Sequence, residues 1–321
     1  MNSKKYRVFL TLLLLCAAPQ SASAAKCLFV SSYHQGYHWA DGIEEGVRQT
    51  LAGQCEFKQL NMDTKRNKSE IFIKQKALEI KAFIEQWQPD VVIVADDNAS
   101  KYLVKPYFKN SELPFVFCGI NWTVAEYGYP YDNATGMIEV APIRQMYELI
   151  KSVKPLASVA YYIAADTLTE EKSFYRYQRA AEKYNIRLVN RLSKTLQEWQ
   201  AAFQEGQGAD FIILGTKSGI NDWNDQLAYR TVKESGRVLS LTDYEWMVEY
   251  AIIGMTKVPQ EQGIWAAKVA LEILTGTEPR TIPIIPNRQW DMLINVSLLQ
   301  SSGVTLPESF LIKSKKVYAS E

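Results

Sequence analysis

Short apolar runs alternate with longer amphipathic segments along most of this sequence. Two of the runs, which begin at Asp90 and Leu113, are rich in Val, Ile and Phe and end in polar clusters at 96–98 and 119–122. Continuous apolar runs of this kind are typical of strands buried on both faces of a parallel sheet. Because ligands of open α/β sheets gather at the carboxyl ends of the strands, the two clusters predict a ligand site.

The first half of the chain predicts a βαβαβαβ unit. Its four strands begin near Cys27, Cys55, Asp90 and Leu113, and its helices cover about 40–51, 70–87 and 98–108. A second unit follows, with strands over about 136–140, 158–164, 186–192, 210–215 and 237–241 and helices over about 141–153, 170–184, 195–204 and 222–235. The alternation predicts parallel sheets covered by helices on both faces.

The last part of the chain predicts a link between the two units. An apolar stretch at 252–255, a helix over about 260–274 and a Pro-rich passage precede a final strand over about 291–296. We expect this tail to recross between two lobes and form a hinge of several strands. The predicted division is lobe I at 25–122 plus about 256–285 and lobe II at about 136–251 plus about 286–312, with the ligand cleft between them.

The first 24 residues predict a cleaved secretory signal peptide and therefore a periplasmic protein. Basic residues precede the apolar run 8–18, and Ala22-Ser23-Ala24 offers an A-x-A cleavage site. Removal of this segment removes three positive charges and changes the formal net charge from +1 to −2. The remaining charges are mixed in sign along the chain, which argues against a nucleic-acid partner.

Three cysteines remain after the predicted cleavage. Cys27 and Cys55 open neighbouring strands, so their side chains are expected close together and predict a disulfide in an oxidising compartment. Cys118 lies deep in an apolar run and is expected to be a buried free thiol. The cysteine spacings match no zinc signature, and we expect neither a metal nor a cofactor.

Several segments resemble a known family when they are taken in order. They are L-P-F-V-F-C-G-I-N at 113–121, N-A-T-G-M at 133–137, V-K-P-L-A-S-V-A-Y-Y at 153–162, G-I-W-A-A-K-V-A-L-E-I-L-T-G-T-E-P at 263–279 and D-M-L-I-N-V-S-L-L-Q-S-S-G-V-T-L-P at 291–307. The chain resembles the substrate-binding proteins of ABC transporters, in the subfamily with tryptophan- and tyrosine-associated members. The resemblance implies the type I periplasmic-binding-protein fold, with two Rossmann-like lobes.

The same resemblance implies a function and a partner. Such a protein closes over a small organic solute, with an amino-acid-like or aromatic one favoured, and delivers it to a membrane ABC permease. Presentation of the bound state to a membrane sensor kinase is the alternative, and a monomer is expected. The loops after the strands, including 33–39, 163–167 and 216–219, depart from the family pattern, so the resemblance does not identify the solute.

Ligand-binding candidates follow the strands of the first unit. The loop Y-H-Q-G-Y-H-W after the first strand predicts an aromatic wall, because aromatic side chains combine large apolar contact with polar handles. A carboxylate after the third strand suits a ligand amino group, and one of Asp97 and Asn98 is expected to cap the next helix instead. The candidates are Tyr33, His34, Trp39, Asp96, Asp97, Asn98, Asn121 and Trp122.

Candidates from the second unit occupy the corresponding strand ends. A lysine among backbone donors could pair with a ligand carboxylate. These candidates are Glu139, Asp166, Lys217, Ser218, Asp243 and Tyr244.

An exported hydrolase that uses Asp96 or Asp97 as general acid or base is a minor alternative. The sequence contains no serine nucleophile elbow, H-E-x-x-H, P-loop or G-x-G-x-x-G to accompany the two carboxylates. We therefore predict a binding protein and not an enzyme.

Overall fold

The computed structural model describes residues 24–318, so most of the predicted signal peptide (residues 1–24) lies outside the described residues. The described chain alternates strands with helices. The strands are β1 (Lys26–Ser31), β2 (Glu56–Asn61), β3 (Val91–Ala95), β4 (Phe115–Asn121), β5 (Ala134–Glu139), β6 (Val159–Ala165), β7 (Arg187–Ser193), β8 (Phe211–Leu214), β9 (Leu239–Thr242), β10 (Ile253–Lys257), β11 (Ile285–Pro286), β12 (Trp290–Asn295) and β13 (Lys315–Val317).

The helices cover the sheets and connect their strands. The α-helices are α1 (His38–Leu51), α2 (Glu70–Trp87), α3 (Asp96–Ala99), α4 (Lys105–Tyr107), α5 (Ile143–Val153), α6 (Leu168–Lys183), α7 (Leu196–Gly206), α8 (Asp225–Ser235), α9 (Pro259–Leu274), α10 (Val296–Ser302) and α11 (Glu308–Lys313). A π-helical turn, Ser100–Val104, joins α3 to α4, and short 3₁₀ helices cover Ala125–Tyr127, Glu245–Tyr250 and Pro279–Thr281. Within residues 24–318, no helix combines the length and the apolar character needed to span a membrane.

Two sheets define two lobes. The first lobe contains the parallel sheet β11-β5-β4-β3-β1-β2, whose central strands are buried on both faces. The second lobe contains the sheet β13-β12-β10-β9-β8-β6-β7, which is parallel except for the antiparallel pairing of β10 with β12. The predicted α/β class and type I periplasmic-binding-protein fold are confirmed.

The sheet membership of two strands differs from the prediction. We placed the strand at 136–140 in lobe II, but β5 pairs in parallel with β4 of the first sheet. The prediction also began the return to lobe I at about residue 256, whereas β10 pairs with β9 of the second sheet as far as Gly254 and with β12 as far as Lys257. An apolar run predicts a strand, but it does not say which sheet edge provides the backbone partners.

The chain crosses between the lobes three times, after β5, after β10 and after β11. The backbone groups of the third crossing are satisfied by side chains of the first lobe. The Glu261 carboxylate accepts hydrogen bonds from the backbone N–H groups of Arg288 at 2.8 Å and Gln289 at 2.7 Å. The predicted hinge of several strands is therefore present.

Helices α1 and α9 pack with their backbones in contact on the outer face of the first sheet. Gly42 and Gly46 of α1 face Pro259 and Gln260, and a Cβ added at Gly263 of α9 would lie 2.0 Å from the carbonyl oxygen of Ile43. Glycine is needed at these positions because any side chain would separate the helices. This tight pair anchors the segment that returns from the second lobe.

Cys27 and Cys55 form the predicted disulfide, with their Cα atoms 6.0 Å apart. The two residues meet because Cys27 lies in β1 and Cys55 directly precedes β2, which pairs in parallel with β1. Cys118 is a buried free thiol, and burial raises the pKa of this group well above its ordinary value.

Candidate ligand-binding cleft

A cleft of about 530 Å³ lies between the lobes, where the carboxyl ends of β3, β4 and β5 face those of β9 and β10. Both lobes contribute side chains to its walls. Nine predicted residues line it, namely Tyr33, Trp39, Asp96, Asp97, Asn121, Trp122, Glu139, Asp243 and Tyr244. Whether they contact a ligand stays a prediction.

Asp96 is the most deeply buried carboxylate of the first wall, with 2% of its surface exposed. Its backbone has φ = +68°, and its Oδ1 lies 2.9 Å from where a Cβ of Gly119 would stand, so the carboxylate needs a glycine beside it. Trp39 Nε1 donates to Oδ1 at 3.0 Å, and Oδ2 has no partner within residues 24–318. Burial and the nearby Glu139 charge raise the pKa of Asp96 well above its ordinary value.

The predicted cap of the helix after β3 is wrong. Helix α3 begins at Asp96 itself, so neither Asp97 nor Asn98 occupies the N-cap position. Ser32, directly after β1, takes over part of this role, because its Oγ accepts a hydrogen bond from the Ala99 N–H at 2.8 Å. The side chains at 96 and 97 are thereby left for other contacts.

Asp97 organises the rim of the first wall. Asn121 Nδ2 donates to its Oδ2 at 2.7 Å, and the Tyr127 hydroxyl donates to its Oδ1 at 2.6 Å. Both oxygens are thus engaged by neighbours on β4 and the loop after it. This arrangement holds the β4 end in place and suits a positioning carboxylate better than a general base.

An ion pair joins the two walls. Lys257 at the end of β10 lies 2.5 Å from Glu139 at the end of β5, and both side chains are largely buried. Burial lowers the pKa of Lys257, but the carboxylates of Glu139 and Asp243 outweigh this effect and hold the pKa above its ordinary value. The lysine is therefore charged inside the cleft.

Asp243 and Tyr244 follow β9 on the second wall. Asp243 is 6% exposed, and its Oδ1 has no partner among the described residues. Burial raises the pKa of Asp243, and the Lys257 charge and the Tyr177 hydroxyl offset only part of this effect. The Tyr244 hydroxyl donates to the buried Glu170 carboxylate at 2.8 Å, which fixes the ring at the cleft wall.

Aromatic rings and cations meet in the cleft, in one case across the two lobes. The Arg176 guanidinium of α6 lies 4.3 Å from the centre of the Trp122 ring of the first lobe. Lys65 Nζ lies 4.8 Å from the ring centres of both Tyr33 and Tyr37. Such cation–π contacts stabilise a charged group where little water reaches it.

Sequence reasoning missed a whole face of α6. Thr169, Lys172, Ser173, Arg176 and Tyr177 line the cleft at spacings of three and four residues, as expected for one helix face. The polar residues at helical spacing directly after β6 were a readable signal. The other lining residues not predicted are Tyr37, Lys65, Thr123, Glu126, Tyr127, Trp246 and Lys257.

Five predicted side chains do not line the cleft, because each one contacts a local neighbour or solvent. His34 lies 3.4 Å from Asp63, and Asn98 Nδ2 donates to Thr64 Oγ1 at 2.8 Å. Asp166 is exposed beside Lys194, Lys217 donates to Asp225 and to the Tyr250 hydroxyl, and Ser218 is exposed. Within residues 24–318, no group of three or more His, Cys, Asp or Glu side chains is arranged to hold a metal ion.

Solved structures with this fold cover nearly the whole chain. A protein from Streptococcus pneumonia, described in complex with L-Trp, is 18% identical with a TM-score of 0.58, over 91% of this chain and 99% of that one. A conserved domain protein from Vibrio cholerae is 19% identical with a TM-score of 0.61, over 92% of this chain and 100% of that one. The ligand-free, open form of a substrate-binding protein with adhesive properties from Clostridium difficile is 13% identical with a TM-score of 0.75, over 92% and 100%.

The family comparison covers most of the sequence as well. No match emerged among curated protein sequences. A family model described as ABC transporter substrate binding protein matches residues 29–318, a range that includes both lobes and the complete cleft. The chain belongs to the family of ABC transporter substrate-binding proteins and is not an enzyme.

Proposed function

We propose that this protein is exported to the periplasm, binds a small amino-acid-like or aromatic solute and delivers it as a monomer to an ABC permease. The observation that carries the proposal is that both lobes place side chains in one cleft at the carboxyl ends of their strands. Its volume of about 530 Å³ is within the range of small-molecule sites. The L-Trp named for the Streptococcus relative supports the solute class.

The side chains of the cleft fit a solute with an apolar body and charged ends. Trp39, Trp122 and Tyr244 offer ring surfaces, while Lys257 and Arg176 offer cationic groups beside them. A solute that contacts both walls binds best when the lobes are close together. Its binding free energy therefore shifts the population toward the closed state.

Solute binding is tested on protein that has been unfolded and refolded to remove any bound solute. A thermal-shift screen covers amino acids, aromatic acids and amines, purines and sugars, and calorimetry follows on each positive compound. A solute at 100 times its Kd stabilises the fold by about 2.7 kcal/mol. The absence of any shift across the screen contradicts the proposed function.

The position of the site is tested by a matched pair of variants. Trp122→Ala removes a ring from the cleft, and we expect affinity to fall by about tenfold or more, as for a buried aromatic contact. Ser218→Ala, outside the cleft, is expected to bind as the original protein does. Equal affinity in both variants contradicts this placement of the site.

Delivery to a permease is tested separately. The solute-loaded protein should bind its cognate ABC permease, in lipid nanodiscs, more tightly than the solute-free protein does. Binding to a sensor kinase domain instead of the permease contradicts the delivery role but not the binding role.

A further inference from the structure

The cleft contains two buried carboxylates that each lack a partner for one oxygen. Asp96 of the first lobe is 2% exposed with Oδ2 unpaired, and Asp243 of the second lobe is 6% exposed with Oδ1 unpaired among the described residues. A buried carboxylate oxygen without a donor costs free energy, because the protein does not replace the water that it loses. The fold alone gives no reason to keep either group.

Glu170 shows what a structural carboxylate looks like in the same region. It is fully buried, and its two oxygens accept hydrogen bonds from the Tyr162 hydroxyl at 2.7 Å, the Tyr244 hydroxyl at 2.8 Å and the Thr216 N–H at 3.1 Å. Its hydrogen-bonding capacity is satisfied inside the second lobe. Asp96 and Asp243 differ from it in having spare acceptor capacity at a cleft surface.

The lysine side chains already in the cleft do not supply the missing donors to Asp96 and Asp243. The Lys257 charge acts on Asp243, but its direct contact is with Glu139 at 2.5 Å. Lys65 acts on Asp96 only at longer range, and its ammonium lies over the rings of Tyr33 and Tyr37. The charged or titratable groups that face Asp96 are Lys65, Asp97, Glu139, Tyr33 and Cys118. Those that face Asp243 are Lys257, Glu170, Tyr162, Tyr177 and Tyr244.

Aromatic rings beside these two carboxylates already lie close to a positive charge. Trp39, which donates to Asp96, lies 5.8 Å from the Lys257 Nζ, and Tyr244, next to Asp243 in sequence, lies 5.9 Å from it. Two aromatic faces and two unpaired acceptors form a setting suited to an ammonium group with several N–H donors.

We propose that the cleft takes solutes that carry a protonated amine, and that Asp96 and Asp243 supply the acceptors for its N–H groups from opposite walls. A carboxylate on the solute is not sufficient for binding. This inference rests on the proposed solute-binding function and narrows its ligand class. Because the two acceptors belong to different lobes, the amine also favours the closed state.

The requirement for an amine is tested with matched compounds on three frameworks. L-tryptophan, L-tyrosine and L-leucine carry both charged groups. Tryptamine, tyramine and isoamylamine keep only the amine, while indole-3-propionate, 3-(4-hydroxyphenyl)propionate and 4-methylpentanoate keep only the carboxylate. Calorimetry is applied to every framework of which at least one compound binds. The compounds that carry an amine should bind at least about 30-fold more tightly than the compound that carries only the carboxylate, because the latter lacks a charged hydrogen bond.

Amide variants test the two carboxylates. Asp96→Asn and Asp243→Asn should each weaken binding of the amine-bearing members by about 30-fold, because the amide removes the charge. In the refolded, solute-free protein both variants should raise the thermal midpoint at pH 7, since each aspartate must there either stay charged without a partner or take up a proton, and both lower the stability of the folded state. Glu170→Gln is the matched control and should lower that midpoint, because Glu170 is fully hydrogen-bonded.

The pH dependence of the affinity distinguishes a solute with a protonated amine from a neutral solute that only accepts hydrogen bonds. Burial raises the pKa of both carboxyls, so they take up protons in the empty cleft more readily than free aspartates do. A cation displaces such protons, so its affinity should rise from pH 5.5 to 7.5, by at most about tenfold per pH unit for each proton released. A solute that accepts hydrogen bonds from protonated carboxyls would show the opposite trend.

The outcomes distinguish the inference from the proposed function. Binding of carboxylate-only members as tightly as amine-bearing ones, unchanged amine affinity in the Asn variants, or lower stability of these variants overturns the inference and leaves solute binding intact. If no solute of any class binds the original protein, the proposed function fails and the inference fails with it.

Discussion

Carboxylates in this protein differ sharply in how well they are partnered. Asp225 on α8 accepts hydrogen bonds from Lys217, from the Tyr250 hydroxyl at 2.5 Å and from Trp223 Nε1 at 2.8 Å, and these contacts lower its pKa to about 2. Asp96 shows the opposite extreme, with one oxygen unpaired and a raised pKa. A well-partnered carboxylate such as Asp225 stabilises the fold at neutral pH. A buried carboxylate with an unpaired oxygen, such as Asp96, lowers the stability of the fold.

The Asp225 cluster gives a pH-dependent prediction. The pKa of Asp225 is lower in the folded state, so its stabilising effect is present above about pH 4 and is lost as the pH falls toward about 2. Because Asp225 is 62% exposed, solvent screening limits the effect, and we expect Asp225→Asn to cost about 1 kcal/mol or less at pH 7. Urea unfolding at pH 7 and near pH 2 measures the difference.

The surface pair formed by Arg144 and Glu148 supplies the control for this experiment, because both side chains are largely exposed. Glu148→Gln should change stability little at either pH. An Asp225→Asn variant that is equally destabilised at pH 7 and near pH 2 contradicts the electrostatic role.

Individual residues also show how much of the site could be predicted from the sequence. Strand ends were predictable, and so were Asp96, Glu139 and Asp243, because parallel strands expose their carboxyl ends at one edge of a sheet. His34 and Lys217 were expected at the cleft, but His34 lies beside Asp63 and Lys217 forms an ion pair with Asp225 instead. Asp63 lies in the loop after β2 and Asp225 begins α8, and an isolated sequence does not say which segments meet.

Among the elements, the α1–α9 pair depends on backbone contact. A Cβ at Gly263 would meet the Ile43 carbonyl oxygen at 2.0 Å and the Val47 nitrogen at 2.9 Å. Backbone atoms do not move aside as a side chain does, so we expect Gly263→Ala to destabilise the protein by about 3 kcal/mol, at the upper end for overpacking. Chemical denaturation measures the change.

The control for the helix pair is Gly208→Ala. Gly208 is exposed, and its added Cβ would meet only the Glu205 carbonyl oxygen, at 3.5 Å. Stability should remain within about 0.5 kcal/mol of the original. A small effect at Gly263 as well would mean that the helices separate easily, contrary to the close packing.

The β1–β2 pair is fastened by the disulfide, and the sequence separation of 28 residues sets its entropic effect. We expect the double variant Cys27→Ser with Cys55→Ser to lose about 3 kcal/mol, because the unfolded chain regains the freedom of that loop. Guanidinium unfolding under non-reducing conditions measures it. Addition of a reductant should lower the stability of the original protein and leave the double variant unchanged; a reductant-sensitive double variant would refute this assignment.

Elements were predicted better than their assembly. Most helices and strands lie within about two residues of their expected positions, because apolar periodicity reflects local geometry. The assignment of β5 to a lobe was wrong, since it depends on a partner strand. The lining face of α6 was overlooked because helical spacing shows which residues share a face but not that this face lies at the cleft.

For the whole molecule, the ion pair between Glu139 and Lys257 links the lobes. Removal of one partner leaves a largely buried charge uncompensated, so we expect Lys257→Met to destabilise the protein by about 3 kcal/mol. Combining it with Glu139→Gln should recover much of that loss. Thermal unfolding of both single variants and the double variant measures the coupling, and additive losses would show that the two side chains act independently.

The contact between Arg176 and Trp122 has an optical consequence. A ring that lies under a guanidinium of the opposite lobe changes its surroundings whenever the lobes move apart, because water then reaches a face that was covered. Indole emission depends on such surroundings. Opening and closing should therefore alter the ultraviolet fluorescence of the unlabelled protein, and a Trp122→Phe variant should lose that part of the spectral change.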